Sequence, residues 1–414
     1  MFRLWPLQSL LSCLATLTLA GVTSCGHFGA SGDEASALPP FNSYTSCAVA
    51  DFNGDGKLDV AVSYSTMASA PPHAGVVAVY LQDPTHSGSF LTPVNYNVGN
   101  DPVALAAGDL NGDGKPDLVS VNTILSAYGT GSSSVSVLLQ DPVHAGQFLS
   151  ATQYPTGFAP FGVAIGDLNG DGRPDLAVAD TTGISILLQS STAAGQFLPL
   201  TTIAVGSGGT AGVAIADVNG DGKPDLVATS SDLIVLMQDP AGPGNFLAPS
   251  HYTVGAQPYA VTVQDLNSDG RPDVAVANLG SADGTVAASL SVLLQNPANP
   301  GNFLPANNYA TGIRSWTIAA ADLNGDGKPD LAVGNMGSFT GASVSVFLQN
   351  PTAAGTFQTA TNYNDSGVVS WVAAGDIDGD GRQDLVIVSS GLEIRFQDPA
   401  NPGTFLQPVM IASQ

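Results

Sequence analysis

The 414-residue chain carries 34 acidic residues against 10 basic ones, a formal net charge of −24. That balance argues against nucleic acid and anionic membrane surfaces as partners, since both are gripped through the Lys and Arg that are scarce here. Hydrophobic residues make up 44% of the chain and 48 residues are Gly, which suits a packed fold with many tight turns.

Residues 1–24 hold one Arg near the start, an apolar stretch from Leu10 to Val22, and small residues after it. The stretch is short for a membrane span and suits a cleaved signal peptide, so the protein is expected to be exported. Val22-Thr-Ser-Cys25 resembles a bacterial lipoprotein box, in which Cys25 becomes the lipidated N-terminus. The expected location is a membrane-anchored lipoprotein at the cell surface or in the periplasm, or a secreted protein if Cys25 carries no lipid. Residues 25–43, rich in Gly, Ser, Ala and Pro, read as a tether. Cys13 falls in the signal and Cys25 at the anchor, which leaves Cys47 alone in the folded part and no internal disulfide. Stability must then come from elsewhere.

From residue 44 to 414 the chain is an array. A nine-residue motif, D-x-[ND]-x-D-G-[KR]-x-D, begins at Asp51, Asp109, Asp167, Asp217, Asp265, Asp322 and Asp376, with starts 58, 58, 50, 48, 57 and 54 residues apart. A period near 50 indicates a solenoid or propeller. Carboxylate or amide oxygens fall at positions 1, 3, 5 and 9, and position 7 would add its carbonyl. The candidate metal ligands are Asp51, Asn53, Asp55, Lys57 and Asp59 in the first copy, and Asp109, Asn111, Asp113, Lys115 and Asp117 in the second. Asp167, Asn169, Asp171, Arg173 and Asp175 form the third, and Asp217, Asn219, Asp221, Lys223 and Asp225 the fourth. Asp265, Asn267, Asp269, Arg271 and Asp273 form the fifth, Asp322, Asn324, Asp326, Lys328 and Asp330 the sixth, and Asp376, Asp378, Asp380, Arg382 and Asp384 the seventh.

An all-oxygen set suits a hard cation, and calcium better than magnesium, because calcium accepts six to eight oxygens in loose geometry. An EF-hand would need a bidentate Glu at position 12, where this chain has Val62, Ser120, Val178, Ala228, Val276, Val333 and Ile387. It would also need flanking helices, whereas each loop runs into a β-type segment such as Asp117-Leu-Val-Ser-Val. The loops hold 22 of the 34 acidic residues and seven of the ten basic ones. Up to seven divalent ions, carrying +14, would bring the formal charge from −24 to −10 and relieve self-repulsion, which couples metal binding to folding.

Four short strands recur per unit, as in Val103–Gly108, Leu118–Val121, Ser134–Gln140 and Phe148–Tyr154. A second marker, Gln-Asp-Pro or Gln-Asn-Pro, follows the third strand at Gln82, Gln140, Gln238, Gln295, Gln349 and Gln397, while the third unit has Gln189-Ser-Ser. Pro cannot donate to a ladder, so this reads as a hairpin connection. The recurring Phe90, Phe148, Phe197, Phe246, Phe303, Phe357 and Phe405 read as packing between sheets. Seven four-stranded antiparallel sheets set radially make an all-β propeller with one calcium-binding loop per blade. The last unit contains all four strands, so closure would rest on packing between blades.

On these motifs the chain resembles the FG-GAP/VCBS repeat proteins of bacterial surfaces and is similar to the seven-bladed propeller of integrin α subunits. The resemblance implies a calcium loop joining the first and second strands of each blade. Integrin propellers carry the loop in only some blades, whereas all seven units have one here, so integrin-type adhesion is not implied.

The five His are scattered and Glu occurs only at Glu34 and Glu393, which leaves little for a nucleophilic triad or a paired-carboxylate site. The expected role is a non-catalytic binding or scaffold module, acting as a monomer on a protein or polysaccharide ligand. The alternative is a calcium-dependent polysaccharide lyase or another carbohydrate-active enzyme, with Arg314 near Trp316 as a sugar-holding pair. Longer connections between second and third strands in units 1, 2, 5 and 6 place the expected ligand contacts on the face opposite the loops, at 65–74, 123–133, 279–287 and 336–341, beside Tyr259, Trp316 and Trp371.

Overall fold

The computed structural model describes residues 42–66, 73–123, 133–206, 209–281, 285–337, 343–365 and 367–413. These residues form seven antiparallel sheets, each of four strands in sequence order. Blade 2 runs Pro102–Gly108, Asp117–Asn122, Ser134–Leu138 and Thr152–Pro155. The architecture is the seven-bladed propeller that the repeats imply. Because neighbouring strands alternate in direction, the connections from first to second and third to fourth strand share one face, here the loop face. The remaining connections share the other, here the mouth.

Burial follows radial position. The second and third strands lie between neighbouring blades, and Asp117–Asn122 and Ser134–Leu138 are buried throughout, which accounts for their unbroken apolar and small-residue runs. Fourth strands are short and largely exposed, as expected at an edge, and polar in blades such as the second and sixth. First strands converge on the axis and carry Ala and Gly for that reason. A Cβ on Gly375 would stand 2.8 Å from Leu58 Cδ1 of the next blade, and one on Gly166 3.0 Å from Ile215 Cγ2.

Each of the seven gaps between blades holds its own apolar core. Across the closing gap, Cys47, Val60 and Val62 of blade 1 pack with Ile377, Val386 and Leu392 of blade 7. The fourth strand of blade 7, Val409–Ser413, pairs within its own sheet, so no strand is shared and the ring closes by packing. Burial pushes the Cys47 thiol far above its ordinary range, which leaves it unreactive.

The repeated Phe lies in these cores, as Phe148 and Phe197 illustrate, but it precedes the fourth strand. Phe148 makes a single bridge to Gln140 and the strand itself starts at Thr152. In five gaps the Phe meets a Tyr from the fourth strand of the preceding blade edge to face, at 5.5 Å for Tyr96–Phe148, Tyr154–Phe197 and Tyr252–Phe303, 5.8 Å for Tyr309–Phe357 and 5.6 Å for Tyr363–Phe405. Such pairs add about 0.5–1.5 kcal/mol each beyond their buried area.

The Gln of the hairpin marker does more than shape a turn. Gln140 Nε2 donates to Pro116 O of its own blade at 3.2 Å and to Phe52 O of the preceding blade at 2.8 Å. The cross-blade bond recurs from Gln189 to Leu110 O, Gln238 to Leu168 O, Gln295 to Val218 O, Gln349 to Leu266 O and Gln397 to Leu323 O. Gln82 donates to Ile377 O at 2.5 Å and so latches blade 1 to blade 7. Every gap in the ring therefore carries the same latch.

Candidate functional site

Each nine-residue loop shapes itself with its own backbone donors. Asp51 Oδ1 accepts from Gly54 N at 2.7 Å and Asp55 N at 3.1 Å, and its Oδ2 accepts from Gly56 N at 2.8 Å. Asn53 Oδ1 accepts from Asp55 N at 2.8 Å, and Asp55 Oδ1 from Lys57 N at 2.9 Å. The set repeats in loop 2 and loop 6. Aiming successive N–H groups at one carboxylate requires left-handed backbone at positions 4 and 6, where Gly54 and Gly56 have φ of +73° and +83°.

Position 9 is fully buried and has a second task. Asp59 Oδ2 accepts from Phe52 N at 2.9 Å, and its Oδ1 accepts from Gln82 N at 2.7 Å. The same two bonds recur at Asp117, Asp175, Asp225, Asp273, Asp330 and Asp384. This carboxylate therefore ties the loop to the hairpin that carries the latch, a role that the motif alone does not reveal.

Burial, reinforced by the carboxylates at positions 5 and 1, pushes Asp59, Asp117, Asp175 and Asp273 up to about 6. Asp330 is pushed up to about 7 by the same causes. A bound cation would cancel that electrostatic cost. In loop 7, where Asp378 replaces Asn, oxygens of Asp376, Asp378 and Asp384 lie within 4.8 Å of one another. Oxygens about 2.4 Å from a common centre are at most about 4.8 Å apart. With three carboxylates and one basic residue, each of the first six loops has a formal charge of −2, and the oxygens that accept a single backbone bond, such as Asp51 Oδ2, Asp55 Oδ1 and both oxygens of Asp59, retain a lone pair. The donor set fits one hard divalent ion per loop.

The mouth is built differently. First strands of blades 1, 2, 5 and 6 carry a register shift that leaves Thr45, Val103, Tyr259 and Trp316 off the ladder, and such bulges re-aim side chains. Tyr259 and Trp316 stack with centroids 4.0 Å apart and planes at 25°, and Phe161 lies 6.4 Å from Tyr259. Trp371 packs against both the blade 7–blade 1 core and the blade 2–blade 3 core. Just before the first strands of blades 2, 3, 5 and 6, Asp101, Ala159, Gln257 and Arg314 hold left-handed φ of +47°, +47°, +54° and +60°. Beside them Phe158 and Ile313 stand 38% and 58% exposed.

The four connections expected to touch a ligand lie partly outside the described residues, at 67–72, 124–132, 282–284 and 338–342. Of their described residues Ser65, Thr123, Leu279 and Met336 are buried, while Ala74, Thr285, Val286 and Ala287 are exposed. Leu279 N and Met336 N donate to Gln257 O and Arg314 O and clamp the left-handed turns. Cys25 and the segment 1–24 that reads as a signal also lie outside the described residues, and among those described no helix is long and apolar enough to cross a membrane.

Comparison with known proteins agrees with this geometry. The chain matches the FG-GAP-like repeat over residues 66–120, 123–178, 167–228, 265–333 and 335–387, and the FG-GAP repeat over 43–80. Every matched segment includes at least one Asp loop. No curated protein sequence matches the chain. Among solved structures it is similar to the periplasmic gluconolactonase PpgL of Pseudomonas aeruginosa, at TM-score 0.60 and 18% identity over 90% of this chain and 98% of that one. It is also similar to the exotype rhamnogalacturonan lyase YesX, at TM-score 0.50 and 15% identity over 86% and 72%. BBS1N in complex with ARL6DN matches at TM-score 0.54 and 12% identity over 89% and 98%. At these identities the likeness is one of fold. With matched repeats covering more than half its length, the chain belongs to the FG-GAP-like repeat family.

Proposed function

We propose that this protein is an exported, calcium-binding propeller that acts as a non-catalytic binding or scaffold module at the cell surface. The observation that carries the calcium reading is the sevenfold all-oxygen loop whose position-9 carboxyl is pushed upward by burial, with the carboxylates at positions 5 and 1 adding to it. The carboxylates at positions 1, 5 and 9, the side-chain oxygen at position 3 and the carbonyl at position 7 would hold the ion. Bound calcium supplies positive charge and cross-links each loop. The ligand site is the mouth, where half-buried Trp316 stacks on Tyr259 beside Phe161 and half-buried Trp371 begins the first strand of blade 7. Aromatic anchors of this kind dominate recognition of proteins and sugars. A glycan and protein panel applied to the mature chain tests this, with Trp316→Ala expected to abolish binding and to leave the calcium-dependent melting shift intact. Binding unchanged by that substitution would move the site elsewhere.

The second reading, a calcium-dependent polysaccharide lyase, draws support from Arg314, placed two residues before Trp316 on the same mouth. Release of unsaturated ends from acidic polysaccharides, lost in Arg314→Ala, would establish it. Anchoring through Cys25 is part of the proposal as well: Cys25→Ser should move the protein from the membrane to the soluble fraction. A soluble wild type with no acyl mass would overturn it.

A further inference from the structure

The residue at position 7 sorts the loops into two kinds. In loops 1, 2, 4 and 6 it is Lys, whose ammonium leaves the loop. Lys57 Nζ donates to Asp83 O at 3.2 Å and Pro84 O at 3.0 Å, Lys115 Nζ to Pro142 O at 3.4 Å, Lys223 Nζ to Pro240 O at 3.3 Å and Lys328 Nζ to Pro351 O at 3.4 Å. All of these carbonyls belong to the turn between third and fourth strands of the same blade.

In loops 3, 5 and 7 it is Arg, and the guanidinium folds back instead. Nη2 of Arg173, Arg271 and Arg382 donates to Oδ2 of Asp171, Asp269 and Asp380. Oδ1 of each Asp already accepts from the backbone N of that same Arg, at 3.0, 3.0 and 2.9 Å. Residue 7 thus engages both oxygens of the position-5 carboxylate in every Arg loop. The planar fork of Arg matches a nearby carboxylate, whereas the compact ammonium of Lys is satisfied by carbonyls at longer reach. The grip is incomplete, because Nε of Arg173, Arg271 and Arg382 is buried without a partner.

We infer that position 7 divides the ring into two classes of calcium site: four open Lys loops, and three gated Arg loops in which the ion must displace a guanidinium from Asp171, Asp269 or Asp380. The inference rests on the calcium reading above. Entry at a gated loop breaks an ion pair and brings a divalent charge towards a guanidinium, so these loops fill at higher calcium. With both partners about a third exposed or less, the handicap is on the order of fivefold in affinity. Gated blades 3, 5 and 7 alternate with open blades 4 and 6, so the second stage of filling is spread round the ring.

Calorimetric titration of the metal-free mature chain with calcium tests this. Wild type should show four tighter and three weaker sites. The triple variant Arg173→Lys, Arg271→Lys, Arg382→Lys, which only installs the residue of the other loops, should merge them into one class of seven. Lys57→Arg alone should shift the split to three and four. Seven equal sites in wild type, or three weak sites surviving in the triple variant, would overturn the inference and leave calcium binding standing. An absence of calcium uptake at every loop would overturn the calcium reading and this inference with it.

Discussion

The two faces of the propeller are built on opposite plans. On the loop face one nine-residue device is repeated seven times with its backbone bonds, its buried carboxylate and its Gln latch nearly unchanged. On the mouth the same structural positions differ from blade to blade: the bulged residue is Thr45, Val103, Tyr259 or Trp316. A feature repeated at every blade serves what all blades share, which is joining neighbours and offsetting charge. Features that differ between equivalent positions are free to serve recognition, since the ring does not depend on any one of them.

Calcium removal is the largest perturbation and should separate the faces. If each loop is held at about a hundredfold above its Kd, it contributes about 2.7 kcal/mol, so seven loops shift the melting temperature on the order of 20 °C for a fold of this size. Chelation followed by calorimetry should show that fall, with recovery when calcium is returned. The near-ultraviolet circular dichroism of the Tyr259–Trp316 stack should stay constant below the transition. A stack signal that collapses on chelation alone would mean that the two faces are coupled.

The next effect lies in the gap between blades 6 and 7, where blade 7 departs from its siblings. Arg395 stands at the register position that Leu138 fills in blade 2. It pairs with buried Asp365 at 2.6 Å, lies 5.4 Å from the Tyr363 ring centroid and donates to Leu406 O and Asn364 O. Asp365 Oδ2 and Glu393 Oε2 are buried without partners. Burial pushes the Asp365 carboxyl up to about 6, with Arg395 opposing and Glu393 adding. A carboxyl raised in the folded state stabilises when protonated, so its contribution is present at low pH and is lost as pH rises through about 6. Arg395→Leu should cost about 3–5 kcal/mol at pH 7.5, because the buried Asp365 carboxylate loses its cation. The loss should shrink at pH 5, and adding Asp365→Asn and Glu393→Ser should recover most of it. Denaturant titrations at the two pH values measure this, and a deficit independent of pH would rule out the buried Asp365 carboxyl as its cause.

What the sequence discloses and what it hides follow the same division. The loops, strand order and number of blades are legible because each is written inside one repeat. The cross-blade contacts are not, since Gln140 reaches a carbonyl 88 residues away and Gln82 one 295 residues away. Periodicity shows that Gln recurs and says nothing about what it faces. Tyr96, Tyr154, Tyr252, Tyr309 and Tyr363 recur in five of the seven blades, and that recurrence is the available signal for the partner of the Phe. From sequence, position 9 reads as a ligand alone, because nothing in D-x-N-x-D-G-K-x-D distinguishes an oxygen facing an ion from one clamping two backbone N–H groups. On the mouth, the bulges at Tyr259 and Trp316 depend on register between strands, which no single strand encodes.

A smaller effect tests whether the loop face is uniform where the ring closes. Gln82→Ala and Gln238→Ala each remove a donor from two carbonyls, at a cost of about 1–3 kcal/mol. Equal losses in denaturant titration would show that the gap between blades 7 and 1 is an ordinary one. A much larger loss in Gln82→Ala, with early proteolysis near the termini, would mark closure as the weak point of the ring.

The smallest effect concerns the one loop whose position 4 is not Gly. Ser268 occupies that position with φ of +61°, where the other six loops have Gly at +73° to +76°. Those glycines have open space where a Cβ would stand, so the difference lies in the backbone alone. Left-handed φ costs a residue with a Cβ about 1–2 kcal/mol, and the greater freedom of Gly in the unfolded chain returns about 0.5–1 kcal/mol of that. Ser268→Gly should therefore stabilise by roughly 0.5 kcal/mol, and Gly220→Ser in blade 4 should destabilise by about as much. Paired melting curves in saturating calcium read both. If Ser268→Gly destabilises instead, the Ser268 side chain contributes a contact of its own, and the loop face is less uniform than its seven matching motifs imply.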